Sequence, residues 1–444
     1  MNIIQEFDTI AAIATPMGTG GVGVIRISGD KSFEILDKIY SKHNLEAGKI
    51  SHGWIVDDGK YIDEVIILPF KNPNSYTGED VIEIHCHGGV NVVRNILDVV
   101  LKNGARIAER GEFTKRAFLN KKMDLSQAEA VADLIHAKTR DFAKQSAKNL
   151  SGVLGQKIKE IREDIFNVLS KIVAGIDFPD EVLEPEYNYL TEEFEKAIRK
   201  IDNILSSANS SNIMRQGIKI AIVGKPNVGK SSLFNTLLNV ERAIVTDIAG
   251  TTRDVLTETL DWDVAITLVD TAGIRDSEEV GKVEEIGIEY SKQSAEDADL
   301  VLFLYDASKG MDEDDKVILG LVKNKNHIMI ANKSDLIKER KDDVLYMSTV
   351  TREGLDKLES KIKEIAYNFS IEDTEFVTNN RQQDCLEKCK SSLLLALDGA
   401  KNHQLQDLIS IDVKSALLYL DEITGEVITD EILNNIFDHF CIGK

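Results

Sequence analysis

Cysteine is scarce in this chain: four residues, Cys86, Cys385, Cys389 and Cys441, among 444. They are too few and too scattered to build a disulfide framework, which points to reduced thiols and a cytoplasmic setting. No run of 18 apolar residues occurs, so no membrane span is expected. The opening Met-Asn-Ile-Ile-Gln-Glu-Phe-Asp lacks the basic-then-apolar pattern of a signal peptide. Internal repeats and low-complexity stretches are missing as well. Positive charge is in deficit: 53 Lys+Arg stand against 75 Asp+Glu, a net charge of −22. A lone nucleic-acid binder carries the opposite sign, so any RNA contact calls for a local basic patch or a partner protein. What remains is an ordinary balance, 43% hydrophobic and 29% charged, with length enough for two to four domains.

Against these absences one motif stands out. Gly224-Lys225-Pro226-Asn227-Val228-Gly229-Lys230-Ser231 is a complete G-x-x-x-x-G-K-[ST] loop. It follows the apolar run 218–223 and opens a helical pattern, 231–238, which is the context the motif needs. Its backbone N–H groups can wrap phosphates, Lys230 can neutralise the β- and γ-phosphates, and Ser231, next to Ser232, can ligate Mg²⁺. Downstream, Asp270-Thr271-Ala272-Gly273 ends the apolar strand 265–269; the aspartate suits Mg²⁺ through water and the glycine N–H suits a γ-phosphate. Asn332-Lys333-Ser334-Asp335 ends the apolar run 328–331. A carboxylate at Asp335 can accept from both N1–H and the exocyclic amine of guanine, a donor pair adenine lacks. The nucleotide is therefore GTP. Between these elements runs Thr246-Asp247-Ile248-Ala249-Gly250-Thr251-Thr252-Arg253-Asp254, with Thr252 the candidate switch threonine for Mg²⁺. Ser348 can close the guanine pocket, although Thr349 follows where a small residue is usual.

One absence is mechanistic. Ras-like enzymes place a water-orienting glutamine after the Asp-x-x-Gly element, and here that position is Ile274. Hydrolysis is then slow, or another group supplies charge. Asn227 offers a carbonyl oxygen suited to a hard cation such as a monovalent ion; its alternative role is to stabilise the loop turn.

Around the nucleotide module, residues 1–118 mix strands (9–15, 23–28, 64–70, 80–85) with helices (31–40, 90–102). Gly18 to Gly23 reads as a tight connection between strands rather than a dinucleotide fingerprint. His85, Cys86 and His87 alternate faces and cannot converge on one metal. Residues 119–215 and 376–444 are helical by periodicity: Ile158, Ile161, Ile165, Leu169, Ile172 and Ile176 share a face, as do Leu405, Leu408, Ile409, Val413 and Leu417. The economical arrangement is one helical domain made of both halves, with the GTP module, 216–375, inserted between them. Cys385 and Cys389 share a helix face, read as packing. Cys441, in the ending Phe-Cys-Ile-Gly-Lys, could present an accessible thiolate.

Many segments, in one order, are similar to the MnmE (TrmE) family of tRNA modification GTPases. They include Arg26-Ile27-Ser28-Gly29, Tyr76-Thr77-Gly78-Glu79-Asp80, Gly111-Glu112-Phe113-Thr114, Asp124-Leu125-Ser126-Gln127-Ala128-Glu129-Ala130, Ile176-Asp177-Phe178-Pro179, the Pro-Asn P-loop and the Cys-Ile-Gly-Lys ending. Arg110 departs from a usual proline. The resemblance implies a multidomain α/β plus α-helical fold: an N-terminal α+β folate-binding and dimerisation domain, a discontinuous helical domain and an inserted Ras-like P-loop GTPase domain. It implies a tetrahydrofolate derivative (5,10-methylene or 5-formyl form) bound by Arg26, Glu83, Lys122 and Lys444, and a role for Cys441 in one-carbon chemistry. It also implies K⁺ held by Asn227, Thr246, Ile248 and Thr251, Mg²⁺ at Ser231 and Thr252, and Glu284 as the glutamate that positions water indirectly. The implied activity is potassium-activated GTP hydrolysis in a homodimer, working with the FAD protein MnmG (GidA) to modify C5 of the wobble uridine of certain tRNAs. The competing reading is a ribosome-assembly switch of the Era/Der type, which calls for a basic RNA-binding domain or a second GTPase module.

Overall fold

The computed structural model describes residues 8–43, 45–137, 139–206, 218–238, 257–261, 265–269, 298–323, 325–337, 339–340, 344–370 and 378–444. Thr246 to Asp254, Asp270 to Ile274, Glu284 and most of the Ser-rich stretch at 206–211 lie outside them. The chain divides into two compact units. One comprises Met1–Ala132, Ala147–Asp202 and Asp384–Lys444; the other comprises Asp133–Ser146 and Asn203–Gln383.

The first unit opens on β1 (Ile10–Ile13), β2 (Val22–Ser28), α1 (Ser32–Ile39), β3 (Ser51–Asp57), β4 (Lys60–Phe70), β5 (Val81–His87), α2 (Val90–Lys102) and β6 (Arg106–Ile107). The strands form one sheet in the order β3-β4-β5-β2-β1-β6, antiparallel except for the β1–β6 pair. Alternation along the strands dictates the layering. Ile25, Ile27, Val65, Ile67, Ile82, Ile84 and Cys86 point to one face, where α1 and α2 cover them with Ile35, Ile39, Val93, Ile96 and Val100. Residues of opposite parity, Arg26, Glu83, His85 and His87, line the other face and are only partly covered or exposed. Cys86 is thus buried between its two histidine neighbours, and burial pushes its thiol up to about 11.

Helices follow: α3 (Glu112–Leu119), α4 (Leu125–Ile135), α5 (Arg140–Leu150), α6 (Val153–Asp177) and α7 (Tyr187–Leu205). The C-terminal stretch adds α11 (Asn380–Lys401), α12 (Gln406–Thr424) and α13 (Asp430–Phe437). The apolar face of α6 buries Ile158, Ile161, Ile165, Leu169 and Ile172, and α12 answers with Val413, Ala416, Leu417 and Leu420. Arg162 on α6 pairs with Asp421 on α12, 259 residues away. Two distant stretches thus complete one helical layer.

In the second unit, β7 (Ile218–Val223), α8 (Lys230–Leu238), β8 (Thr257–Asp261), β9 (Ala265–Val269), β10 (Leu300–Asp306), α9 (Glu313–Val322), β11 (His327–Asn332), β12 (Leu345–Tyr346) and α10 (Leu355–Ser370) build a second sheet. Its order is β12-β11-β10-β7-β9-β8, parallel except for the β8–β9 hairpin. The central strands β7 and β10 read as continuous apolar runs because both faces are covered. Ile218, Ile220 and Ile222 pack with Leu233, Phe234 and Leu358 on one side, and Ala221 and Val223 pack with Ile318 and Val322 on the other.

Candidate functional site

The P-loop leaves the carboxyl end of β7, where an open α/β sheet presents ligands. Gly224 takes φ +151°, and a Cβ there would sit 2.2 Å from the Leu304 carbonyl oxygen. The loop is therefore seated directly on β10. Asn227 adopts φ +63°, an uncommon left-handed position for a non-glycine residue. Gly229 takes φ +104°, and a Cβ there would lie 2.2 Å from Asn332 Nδ2. Lys230 opens α8, and its Nζ donates to the carbonyls of Gly224 (2.8 Å) and Lys225 (2.9 Å). Val228 is buried, whereas Ser231 and Ser232 are exposed on the first turn of α8. A hydroxyl at this helix start is an oxygen ligand of the kind Mg²⁺ takes, and the N-terminus of a helix offers its N–H groups to phosphate.

The guanine motif meshes with this loop. Asn332 ends β11 fully buried; its Nδ2 donates to the Val228 carbonyl (2.8 Å) and its Oδ1 accepts from Thr349 N–H (3.3 Å). Lys333, at φ +64°, donates from Nζ to the Asn227 carbonyl (3.0 Å) and pairs with Asp306 (2.7 Å) at the end of β10. Burial works to raise the Asp306 pKa, but Lys333 and the Ser308 donors outweigh it and hold the carboxyl below its usual range. Asp335 is exposed in the 3₁₀ turn Ser334–Leu336. Ser348 is buried, and its Oγ accepts from Val350 N–H (3.3 Å) and Thr351 N–H (3.2 Å). Thr349, the residue that departs from the small-residue pattern, joins the site through its backbone N–H.

Sequence reading missed the flank of the loop. Lys225 forms an ion pair with Asp312, the N-cap of α9, and lies 3.5 Å from Asp315. Asp312 and Asp315 cap each other reciprocally, each side chain accepting from the other's N–H. The Lys225 hydrogen bond holds the Asp312 carboxyl down to about 2. Burial pushes the Asp315 carboxyl up. The detectable signal was the spacing of two aspartates three apart at the mouth of a helix.

A second constellation lies in the first unit. Arg26 and Glu83 face each other across the β2–β5 ladder and pair at 2.8 Å. The Arg26 guanidinium lies 5.1 Å from the Tyr76 ring centre and 5.6 Å from that of Phe113, and donates to the Gly443 carbonyl (3.4 Å). Glu83 and Lys122 line a cavity of about 270 Å³ with Phe70, Asn74, Ser75, Tyr76 and Val81. Lys122 Nζ donates to the Pro73 carbonyl (2.9 Å). The chain end reaches the same region: Ile442 bridges Arg110, and Phe113 N–H donates to the Lys444 carbonyl (3.2 Å). Gly443, at φ +94°, is forced by contact, since a Cβ would lie 2.3 Å from the Ile13 carbonyl oxygen. Cys441 is exposed beside it. Of the sequence-nominated residues, Glu83 and Lys122 line this cavity, and Arg26 pairs with Glu83 and meets the docked tail at Gly443. Thr246, Asp247, Ile248, Ala249, Gly250, Thr251, Thr252, Asp270, Thr271, Ala272, Gly273 and Glu284 lie outside the described residues.

A strand–loop–helix phosphate cradle locked to an Asn-Lys-x-Asp turn defines a P-loop protein of the guanine-nucleotide-binding class. Comparison with known proteins narrows this. The family description "MnmE helical domain" matches residues 125–441, and "GTP-binding protein TrmE N-terminus" matches residues 9–122. The tRNA modification GTPase MnmE of Thermoanaerobacter pseudethanolicus is 44% identical over 99% of this chain and 100% of its own length. The protein of the same name from Clostridioides difficile is 43% identical over 98% of this chain and 99% of its own. The chain belongs to the MnmE family of tRNA modification GTPases. Among solved structures, Aquifex aeolicus Era bound to GDP and AlF₄⁻ is 28% identical, covering 40% of this chain and 67% of that one, with a TM-score of 0.27, too loose a superposition to carry an inference. The Era/Der reading is not favoured, because relatives align from end to end with MnmE proteins.

Proposed function

We propose that the chain is a potassium-activated GTP hydrolase which, as a homodimer and with an FAD-containing MnmG-type partner, modifies C5 of the wobble uridine of certain tRNAs. The observation that carries the GTP part is the mesh of Asn332 and Lys333 with the carbonyls of Val228 and Asn227. Phosphate cradle and Asn-Lys-x-Asp turn are thereby built as one piece, so the position of one constrains the other. Mg²⁺ falls to Ser231 and Thr252, where it neutralises the β- and γ-phosphate charge.

Potassium is assigned to Asn227 together with Thr246, Ile248 and Thr251. Asn227 supports this reading: it is exposed on the loop, its own carbonyl is taken by Lys333, and its side-chain oxygen is a hard donor. A cation there supplies the charge that Ile274 cannot organise, with Glu284 positioning water indirectly. The cavity beside Arg26, Glu83 and Lys122 is proposed to take the head of a tetrahydrofolate derivative. A carboxylate can accept from pterin N–H groups, and Lys122 and Lys444 can pair with its glutamate carboxylates. Cys441, docked nearby, is proposed to take part in the one-carbon step. The acidic surface fits a division of labour in which the partner carries much of the tRNA contact.

GTP hydrolysis measured in K⁺ and in Na⁺ tests the central claim. Asn227→Ala, paired with Asn227→Gly to keep the left-handed turn unstrained, should abolish K⁺ stimulation while GDP affinity stays within about twofold, roughly 0.4 kcal/mol. Retained K⁺ dependence in both variants rejects the ligand assignment. Loss of the modified wobble uridine from tRNA of cells without this gene tests the pathway role.

A further inference from the structure

We infer that Lys225 is a positioning residue for the phosphate-binding lysine, holding the P-loop to the first turn of α9 through Asp312. The inference rests on the nucleotide site described above and deepens it. Lys225 has two ends with separate duties. Its carbonyl, with that of Gly224, accepts from Lys230 Nζ at 2.9 and 2.8 Å, so the path of residues 224–225 sets where Lys230 sits. Its ammonium points the other way and pairs with Asp312 and Asp315. Asp312 is a rigid anchor, because its carboxylate also caps Asp315 N–H at 3.1 Å. Asp315 is 2% exposed, and its Oδ1 has no hydrogen-bond partner among the described residues, so Lys225 is the nearby cation that answers its charge.

The opposite shoulder of the loop is held in the same manner. Lys333 pairs with Asp306 and donates to the Asn227 carbonyl. Asp306 ends β10 and Asp312 begins the helix that follows it. Two lysines therefore fasten both sides of the cradle to one connection, residues 306–312. Because its charge is engaged by aspartates, Lys225 contributes geometry to the phosphates rather than a direct contact.

This distinction has a sign. If Lys225 touched phosphate, removing its aspartate competitor would tighten nucleotide binding; if it positions the loop, the same change loosens it. The experiment is release of mant-GDP from the full chain in K⁺ and Mg²⁺, for the unaltered protein, Asp312→Asn, Lys225→Met and Lys225→Arg. Asparagine keeps the helix cap, so Asp312→Asn removes only the charge. Expected are three- to tenfold faster release for Asp312→Asn and Lys225→Met, and near-normal release for Lys225→Arg, which keeps the charge. The pair is partly exposed, so the difference between unaltered protein and Asp312→Asn should shrink in 1 M salt, an outcome a purely structural lesion would not give. Slower or unchanged release in Asp312→Asn overturns the inference. If Lys225→Met fails to fold, Asp312→Asn and Lys225→Arg carry the decision. Absence of mant-GDP binding by the unaltered chain would remove the nucleotide reading itself.

Discussion

Gly229 shows how little freedom single residues have here. Its left-handed φ disfavours any side chain, and the space a Cβ needs holds the amide of Asn332. Gly229→Ala must displace the group that ties the guanine turn to the loop. Nucleotide affinity, read by titration calorimetry, should fall at least tenfold, while the far-UV spectrum stays unchanged. Glu112 offers a residue-scale test in the other unit. Burial alone would raise its pKa, but Arg106, the Glu109 N–H and Arg116 bring it from 4.5 to about 2. A depressed carboxylate stabilises the fold above its unfolded value and loses that contribution as pH falls through the folded one. Stability from this network is thus full above about 4.5 and drains toward 2. Urea midpoints across that window should fall less steeply in Glu112→Gln than in the unaltered chain.

At the scale of elements, α6 and α12 carry the helical layer. Ile165 on α6 is 1% exposed. Ile165→Ala should cost about 3 kcal/mol, read from urea unfolding of the first unit. A change below about 1 kcal/mol would mean that its packing is looser than it looks. Periodicity made α6 legible, because a 3.6-residue repeat of isoleucines needs no tertiary context; of the face named from sequence for α12, Ile409, Val413 and Leu417 are buried, but Leu408 and Leu405, which precedes the helix, are exposed. Periodicity also marked α2 over Val90–Lys102 and most of β2, β4 and β5. Strand β3 (Ser51–Asp57) escaped, although Asp58-Gly59 before β4 is a hairpin turn signal. Parallel strands β7, β9 and β11 were readable as apolar runs that end in chemistry, whereas β10 (Leu300–Asp306) was not read. The pairing of Lys225 with Asp312 was not, since nothing in local spacing tells which of many lysines meets which acid across 87 residues. The docking of Gly443 on Arg26 belongs to the same class: only the fold brings residues 417 apart together.

For the whole molecule, the division into two compact units has a thermodynamic reading. The phosphate loop and the Asn-Lys-x-Asp turn belong to the second unit, so nucleotide bound there should stabilise that unit first by mass action. Calorimetry with GDP at a hundred times its dissociation constant should raise one unfolding transition by about 2.7 kcal/mol of added stability and leave another in place. A single transition that moves as a whole would show that the units unfold together. The excess of acid, 75 against 53, is likewise a property of the molecule rather than of a site. It disfavours unaided tRNA binding and fits the proposed division of labour with a partner protein.

The distribution of thiols has a practical yield. Cys86, Cys385 and Cys389 are buried, Cys389 with its thiol pushed up to about 12, and Cys441 is exposed. A maleimide dye should therefore attach at one place without any engineered substitution. The label would sit two residues from the glycine that touches Arg26, making the chain end an optical handle on events in the neighbouring cavity.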